Sequence, residues 1–344
     1  MKSIQLWGPE DLRLIEYEES RDLAPEEVRI KVDATGICGS DLHLFKQGHI
    51  GGLGIESPFC PGHEFMGTVV ETGVSAWDGH HHPLQSGTRV AVDPQIPCLQ
   101  CEWCEAGNPN LCPHHEFFGL PPRHGALRES MIVPARNCFP LPDTISDAAG
   151  TLLETLGVCL HALDLTKPQV GASTAILGCG PVGLLLVKLS SMAGLDPVIA
   201  VDPIPERAEA AREWGATHSL ALRAEDAVAE VDSLTGGRGC DRVIEAAWAG
   251  PTVDAGASMA CPGAWIILVG IPSGHRMQLN HSTARRKGFS LILSRRMKHT
   301  YPQAIRLAAG PDPAIPLDRL ATYFFPLEEA PAAFHANLRY EKGM

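Results

Sequence analysis

Ala175-Ile176-Leu177-Gly178-Cys179-Gly180-Pro181-Val182-Gly183 is the stretch on which the fold turns. Three apolar residues read as a buried strand, glycines follow at the spacing G-x-G-x-x-G, and Val182 to Ala193 continues as an apolar helix. Glycines here let the backbone turn tightly and approach a pyrophosphate, whose charge is met by the helix N-terminus. Val198-Ile199-Ala200-Val201 is the next strand, and Asp202 ends it nineteen residues past Gly183, where a carboxylate can accept ribose hydroxyls. A glycine turn that binds nothing is the competing reading, and the strand, helix and acid around this one weigh against it. Because Asp202 repels a 2′-phosphate, NAD is preferred to NADP. Arg207 pulls the other way, since a guanidinium can accept that phosphate or stack on adenine.

Outward from this stretch the texture differs on the two sides. Toward the C-terminus strands and helices alternate. Asp147 to Leu165 reads as helix, Pro205 opens a helix that runs through Trp214 to Gly215, and Val243-Ile244 and Trp265 to Val269 are strands. That alternation predicts a parallel sheet with crossover helices. Toward the N-terminus the chain reads as short β segments, Val28 to Val32, Thr68 to Val70 and Arg89 to Val92, between loops rich in Gly, Pro and His. Past Arg296 come a helix (Tyr301 to Ala309), a β segment at Tyr323-Phe324-Phe325 and a final helix. The expected class is α/β: a β-rich domain, an inserted doubly wound domain, and a return.

With 344 residues the chain suits two domains with a core each. Lys and Arg number 28 against 40 Asp and Glu, a formal charge of −12, which repels phosphate backbones and anionic bilayers. Nucleic acid and membrane are therefore not expected partners. The N-terminus meets charge too early for a secretory signal, and apolar runs such as Ala264 to Gly270 are strand-sized, so the expected compartment is the cytoplasm.

Eleven cysteines are many for a reducing compartment, but four are Cys98, Cys101, Cys104 and Cys112, spaced Cys-x2-Cys-x2-Cys-x7-Cys. Four thiolates on one short lobe can enclose zinc tetrahedrally and close it to substrate, a structural site. Cys60, Cys138, Cys159, Cys179, Cys240 and Cys261 are scattered singly and read as small buried hydrophobes. A second set is Cys38-Gly39-Ser40-Asp41-Leu42-His43, Gly62-His63-Glu64 and, far downstream, Glu154. Alone, each has a bland reading as core thiol or surface loop. Together they supply thiolate, imidazole and carboxylate, which can hold a zinc with one position open to a substrate oxygen.

Taken in order, Gly36-Ile37-Cys38-Gly39-Ser40-Asp41-Leu42-His43, Pro61-Gly62-His63-Glu64-Phe65-Met66-Gly67, the four-cysteine lobe and the glycine fingerprint resemble the zinc-containing medium-chain dehydrogenase family. The resemblance runs from about Val28 to about Phe334. It looks strongest to the polyol (sorbitol-type) and threonine dehydrogenase branch, on three features. These are Glu154 in place of a second cysteine ligand, Phe117-Phe118-Gly119-Leu120-Pro121-Pro122, and Arg295-Arg296-Met297-Lys298-His299-Thr300-Tyr301-Pro302.

The resemblance implies a GroES-like catalytic domain over residues 1–154 and 297–344 and a Rossmann domain over 155–296. It implies two zinc ions per chain, NAD, an alcohol substrate and a homo-oligomer, dimer or tetramer. Carried over, Cys38 and His63 are zinc ligands, Glu64 and Glu154 compete for the third protein position, and Asp41 orients His63. Ser40 takes the substrate proton and His43 passes it on. Gly178, Gly180, Val182, Gly183, Asp202, Arg207 and Val269-Gly270-Ile271 line the NAD site. Leu44, Phe117, Arg296 and Met297 face the substrate. Leu44 and Met297 stand where sorbitol dehydrogenases carry tyrosines, which favours a less polar or differently shaped alcohol than sorbitol.

Two further departures stand out. Ala76-Trp77-Asp78-Gly79-His80-His81-His82-Pro83 is longer than the family's turn; its histidines can bind metal, but a solvated loop is the preferred reading. The chain stops at Tyr340-Glu341-Lys342-Gly343-Met344, about where the family adds a last strand, so a short or incomplete terminus is expected. The implied reaction is hydride transfer from the carbinol carbon of a secondary alcohol, probed against threonine and glucose as alternative substrates. The distant alternative is a non-enzymatic NAD-binding protein, which has no need of an open metal site.

Overall fold

The computed structural model describes residues 1–18, 21–50, 53–55, 58–247, 251–271 and 276–339. Tyr340 to Met344, read above as an early stop, lie outside them. The chain divides into two compact units, Met1–Glu154 with Tyr301–Met344, and Thr155–Thr300. The return falls at Tyr301 rather than 297. Residues 297–300 stay with the second unit because Met297 packs against Gly157 and the Thr300 hydroxyl donates to the Gly157 carbonyl at 3.0 Å.

The first unit is built on a five-stranded antiparallel sheet in the spatial order Ser130–Pro134, Glu27–Gly36, Glu64–Thr72, Arg89–Val92, Cys138–Pro140. The alternation read at Val28 to Val32 has its physical basis here: Val28 and Ile30 face a core with Phe65, Val69, Val90, Val92, Phe118 and Met131. The register of the two central strands sets Gly36 opposite Glu64, and thereby aligns the chain leading to Cys38 with the one following His63.

The second unit holds a six-stranded parallel sheet in the order His218–Leu220, Val198–Val201, Thr174–Leu177, Cys240–Glu245, Ala260–Leu268, Ser290–Leu293. The strand order reverses beside Thr174–Leu177, which is where a doubly wound sheet opens a crevice at its carboxyl ends. Thr174–Leu177 and Val198–Val201 are buried along their whole length, as central parallel strands must be.

Two element readings are corrected. The helical stretch Asp147 to Leu165 is two helices, Asp147–Thr151 and Leu153–Leu165, which places Glu154 in the first turn of the second. Tyr323-Phe324-Phe325 form no strand. They lie between the short helices Leu317–Leu320 and Leu327–Glu329 with Phe324 74% exposed; aromatic β-propensity needs a partner strand, and no strand among the described residues pairs with them. Among the described residues no helix is long and apolar enough to cross a membrane.

Candidate functional site

Cys38 caps the N-terminus of the helix Gly39–Gln47 in extended conformation. Asp41, in that helix's first turn, accepts the Cys38 amide on Oδ2 at 3.0 Å, which fixes the thiol at the helix entrance. The other carboxylate oxygen, Oδ1, faces His63 Nδ1 at 3.5 Å, and neither of these buried atoms has another hydrogen-bond partner. One carboxylate thus stands behind both residues. Glu64 opens the next strand, and the bare Cα of Gly36 opposite makes room for it: a Cβ there would lie 2.6 Å from Glu64 Oε2. The requirement for glycine at 36 is spatial, and a contact made only by strand register left no trace in the sequence reading.

Cys38, His63 and Glu64 therefore offer donor atoms within 4.8 Å of one another. Thiol, imidazole and carboxylate are the donor chemistry of zinc, and three protein ligands leave a coordination position for substrate. Orientation of the imidazole supports the fit. With Nδ1 turned to Asp41, Nε2 is left for a metal, and a metal-bound imidazole would present its remaining proton to that carboxylate. Burial raises the Cys38 thiol, reinforced by the Glu64 charge. At His63 burial works against the imidazolium, but Asp41 and then Cys38 outweigh it, and the pKa is raised well above the usual value.

Around this cluster the expected residues divide. Ser40 is buried on the inward face of the Gly39–Gln47 helix, His43 is half-buried one turn on, and Phe117 sets its ring 5.4 Å from that of His63. Glu154 is buried but does not join the group of mutually close donors. Leu44 lies four residues after Ser40 on the helix face turned inward, has no exposed surface, and packs in a core with Ile4, Leu6, Phe45 and Phe334.

The four-cysteine lobe closes as its spacing predicts. Sulfur–sulfur distances are 3.5 Å for Cys101–Cys104, 3.8 Å for Cys101–Cys112 and 3.5 Å for Cys112–Cys98. A tetrahedron of thiolates around zinc has edges of about 3.8 Å. The backbone amide of Cys98 donates to Cys112 Sγ at 3.4 Å. Amide donation, first from Gln100, holds the Cys98 thiol down to about 6, whereas desolvation and then the Cys101 and Cys112 sulfurs push Cys104 up to about 12.

In the second unit, the helix Pro181–Met192 begins at the glycine fingerprint with Gly180 as its cap. Pro181 has no amide, and those of Val182 and Gly183, in the first turn, have no partner within the helix, so they are free to face an anion. Gly183 is fixed by space, since a Cβ would sit 1.8 Å from the Gly178 carbonyl oxygen. Gly180, Val182, Arg207, Val269 and Gly270 are half-buried, Gly178 is buried and Ile271 is exposed, while Asp202 is only 4% exposed. Glu245, missed in the sequence reading, ends its strand wholly buried and accepts the Ala247 amide at 3.0 Å. A buried acid directly after the apolar pair Val243-Ile244 is the signal that marked it. Arg296 is half-buried in left-handed backbone conformation at φ 55°. Met297, expected at the substrate, is buried and packs against Gly157.

Residues 24–143 match the alcohol dehydrogenase GroES-like domain and residues 181–310 the zinc-binding dehydrogenase domain. Sorbitol dehydrogenase of Bacillus subtilis is 35% identical over 93% of this chain and 89% of its own. The chain belongs to the zinc-containing medium-chain dehydrogenases. Within them it falls in the polyol dehydrogenase branch, and it is an oxidoreductase using zinc and a nicotinamide cofactor. Two solved structures align over nearly the whole chain. A zinc-binding dehydrogenase of Sinorhizobium meliloti 1021 bound to NADP has a TM-score of 0.84 at 29% identity, covering 97% of this chain and 94% of its own. An alcohol dehydrogenase of Escherichia coli CFT073 complexed with NADH has a TM-score of 0.86 at 28% identity, covering 100% and 97%.

Proposed function

We propose that this dehydrogenase oxidises a secondary hydroxyl of a polyol or sugar-derived alcohol, with NAD as hydride acceptor and two zinc ions per chain. The observation that carries the reading is the Cys38–His63–Glu64 group, with Asp41 fixing both the Cys38 amide and the His63 ring. Zinc held there supplies a Lewis acid that lowers the pKa of a substrate hydroxyl, and NAD supplies the hydride acceptor. The chain's own residues do the rest. Ser40 accepts the hydroxyl proton at the head of its helix, His43 passes it on, and Phe117 covers the His63 side against water. Cys98, Cys101, Cys104 and Cys112 hold the second zinc, which takes no part in the chemistry. Eleven cysteines free of disulfides suit a cytoplasmic protein, and the family resemblance supports a homo-oligomer.

The test is NADH formation by zinc-replete enzyme across polyols, glucose, threonine and simple secondary alcohols. Polyols are expected to give the highest kcat/KM, with NAD ahead of NADP. Turnover confined to threonine would move the substrate assignment, and a preference for NADP would shift the weight from Asp202 to Arg207.

The two glutamates are read differently. Glu64, in the close donor group, is the third protein ligand, and Glu154 acts near it without being needed to hold metal. Glu64→Ala is expected to lose the catalytic zinc in elemental analysis. Glu154→Ala is expected to keep that zinc and lower kcat by about 10- to 100-fold, the usual cost of an outer partner. Zinc retained in Glu64→Ala and lost in Glu154→Ala would reverse the assignment.

A further inference from the structure

Asp202 is the carboxylate expected at the adenosine ribose, and its oxygens already have backbone partners. Oδ2 accepts the Cys179 amide at 2.8 Å and Oδ1 accepts the Ile204 amide at 2.9 Å. Cys179 is the second residue of the glycine fingerprint and is 1% exposed, so without this carboxylate its amide is buried with no acceptor. The preceding amide, of Gly178, donates to the Val201 carbonyl at 2.8 Å. The first two amides of the loop are thus both tied to the end of the strand Val198–Val201. Ile204 is the residue that caps the helix Pro205–Glu213, which carries Arg207. One buried carboxylate therefore joins the glycine loop to the start of the next helix. A carboxylate has about four lone-pair positions, so two remain for a ribose diol.

We infer that Asp202 is a positioning residue for the phosphate-binding loop, acting on the cofactor through the Cys179 amide as well as through the ribose. This rests on the reading of the second unit as a nicotinamide dinucleotide site. Tied at Cys179, the loop keeps the Val182 and Gly183 amides aimed at the pyrophosphate, a group NAD and NADP share. Removing the carboxylate accordingly weakens both cofactors, and Asp202→Ala alone does not convert the protein to NADP. Loss of NAD affinity exceeds loss of NADP affinity only by the part due to the ribose.

The tie and the ribose contact are separable with an NADH analogue carrying 2′,3′-dideoxyadenosine, which lacks both hydroxyls of the diol. NADH, NADPH and this analogue are titrated by fluorescence into wild type, Asp202→Ala and the isosteric Asp202→Asn, which keeps one acceptor and protects against simple misfolding. In parallel, amide exchange at Cys179 and Ile204 is followed in the cofactor-free proteins. The dideoxy analogue is expected to weaken by roughly tenfold or more in Asp202→Ala, from loss of a charge-assisted bond, with faster exchange at both amides and an intermediate effect in Asp202→Asn. If the analogue binds Asp202→Ala as it binds wild type while NADH weakens, the residue acts through the ribose alone and the inference is overturned. Unchanged exchange at Cys179 overturns it as well. Wild type that binds neither NADH nor NADPH refutes the cofactor reading instead, and the exchange measurement still decides the tie.

Discussion

His63→Ala is expected to abolish binding of the catalytic zinc and to lower kcat/KM by about three orders of magnitude or more, since metal stabilisation of developing charge is worth several kcal/mol. The size of the effect follows from what surrounds the ring. Cys38 and Glu64 are left with two donors, and no other described residue brings an imidazole or thiol into the group. Asp41 Oδ1 loses the ring it faces at 3.5 Å and becomes a buried carboxylate oxygen without a partner, so the variant also disturbs the Cys38 amide held by the same side chain. Phe117 loses the ring it packs against and cannot substitute for it chemically. Elemental analysis should fall from two zinc ions to one while the four-cysteine lobe keeps its own. A variant that retains two zinc ions and near wild-type turnover would remove His63 from the metal site.

How far such a site can be read from sequence depends on how its parts are brought together. The glycine fingerprint and the four-cysteine lobe are each contiguous, so their chemistry is written in local spacing, and both close in the structure as that spacing requires. Cys38 and His63 are twenty-five positions apart and meet only because Glu27–Gly36 pairs with Glu64–Thr72 in one particular register. Their residue types pointed to metal, but the register that brings Glu64 close to both, and the space that Gly36 must leave for it, are tertiary facts. Leu44 shows how little sequence adjacency says about direction. Adjacent to His43 in sequence, it is about 100° around the helix in space, and the helix turns it into the core. The packing of Met297 was equally hidden, because nothing local reveals that Gly157 provides the gap its side chain fills. The aromatic run at Tyr323 to Phe325 carried strand propensity, but no strand among the described residues pairs with it. At Asp202 residue type suggested a ligand contact, while the bonds it makes to Cys179 and Ile204 were illegible, since any backbone amide can be the donor.

Cys112→Ser is expected to cost the lobe its zinc and to destabilise the first unit by several kcal/mol, on the order of what breaking a structural metal site removes. The lobe has little else to hold it. Its one α-helix, Glu102–Glu105, is four residues long and buries none of them, and Leu99, Trp103 and Leu111 turn apolar side chains outward at 52%, 40% and 45% exposure. With its larger side chains facing solvent, the segment cannot order itself by hydrophobic burial, so the metal must do so. Cys112 is the most telling of the four to replace. It is wholly buried, lies within 3.8 Å of the sulfurs of Cys98 and Cys101, and accepts the Cys98 amide, so the shorter, harder serine oxygen loses both the ligand and the bond. The measurement is zinc content together with thermal melting. One zinc per chain should be lost and the melting temperature should fall by several degrees. Activity per remaining catalytic zinc should fall far less than in His63→Ala, because the lobe shapes the fold and does not touch the alcohol. Two zinc ions retained, or an unchanged melting temperature after their loss, would mean that the four thiols are held together by the chain itself.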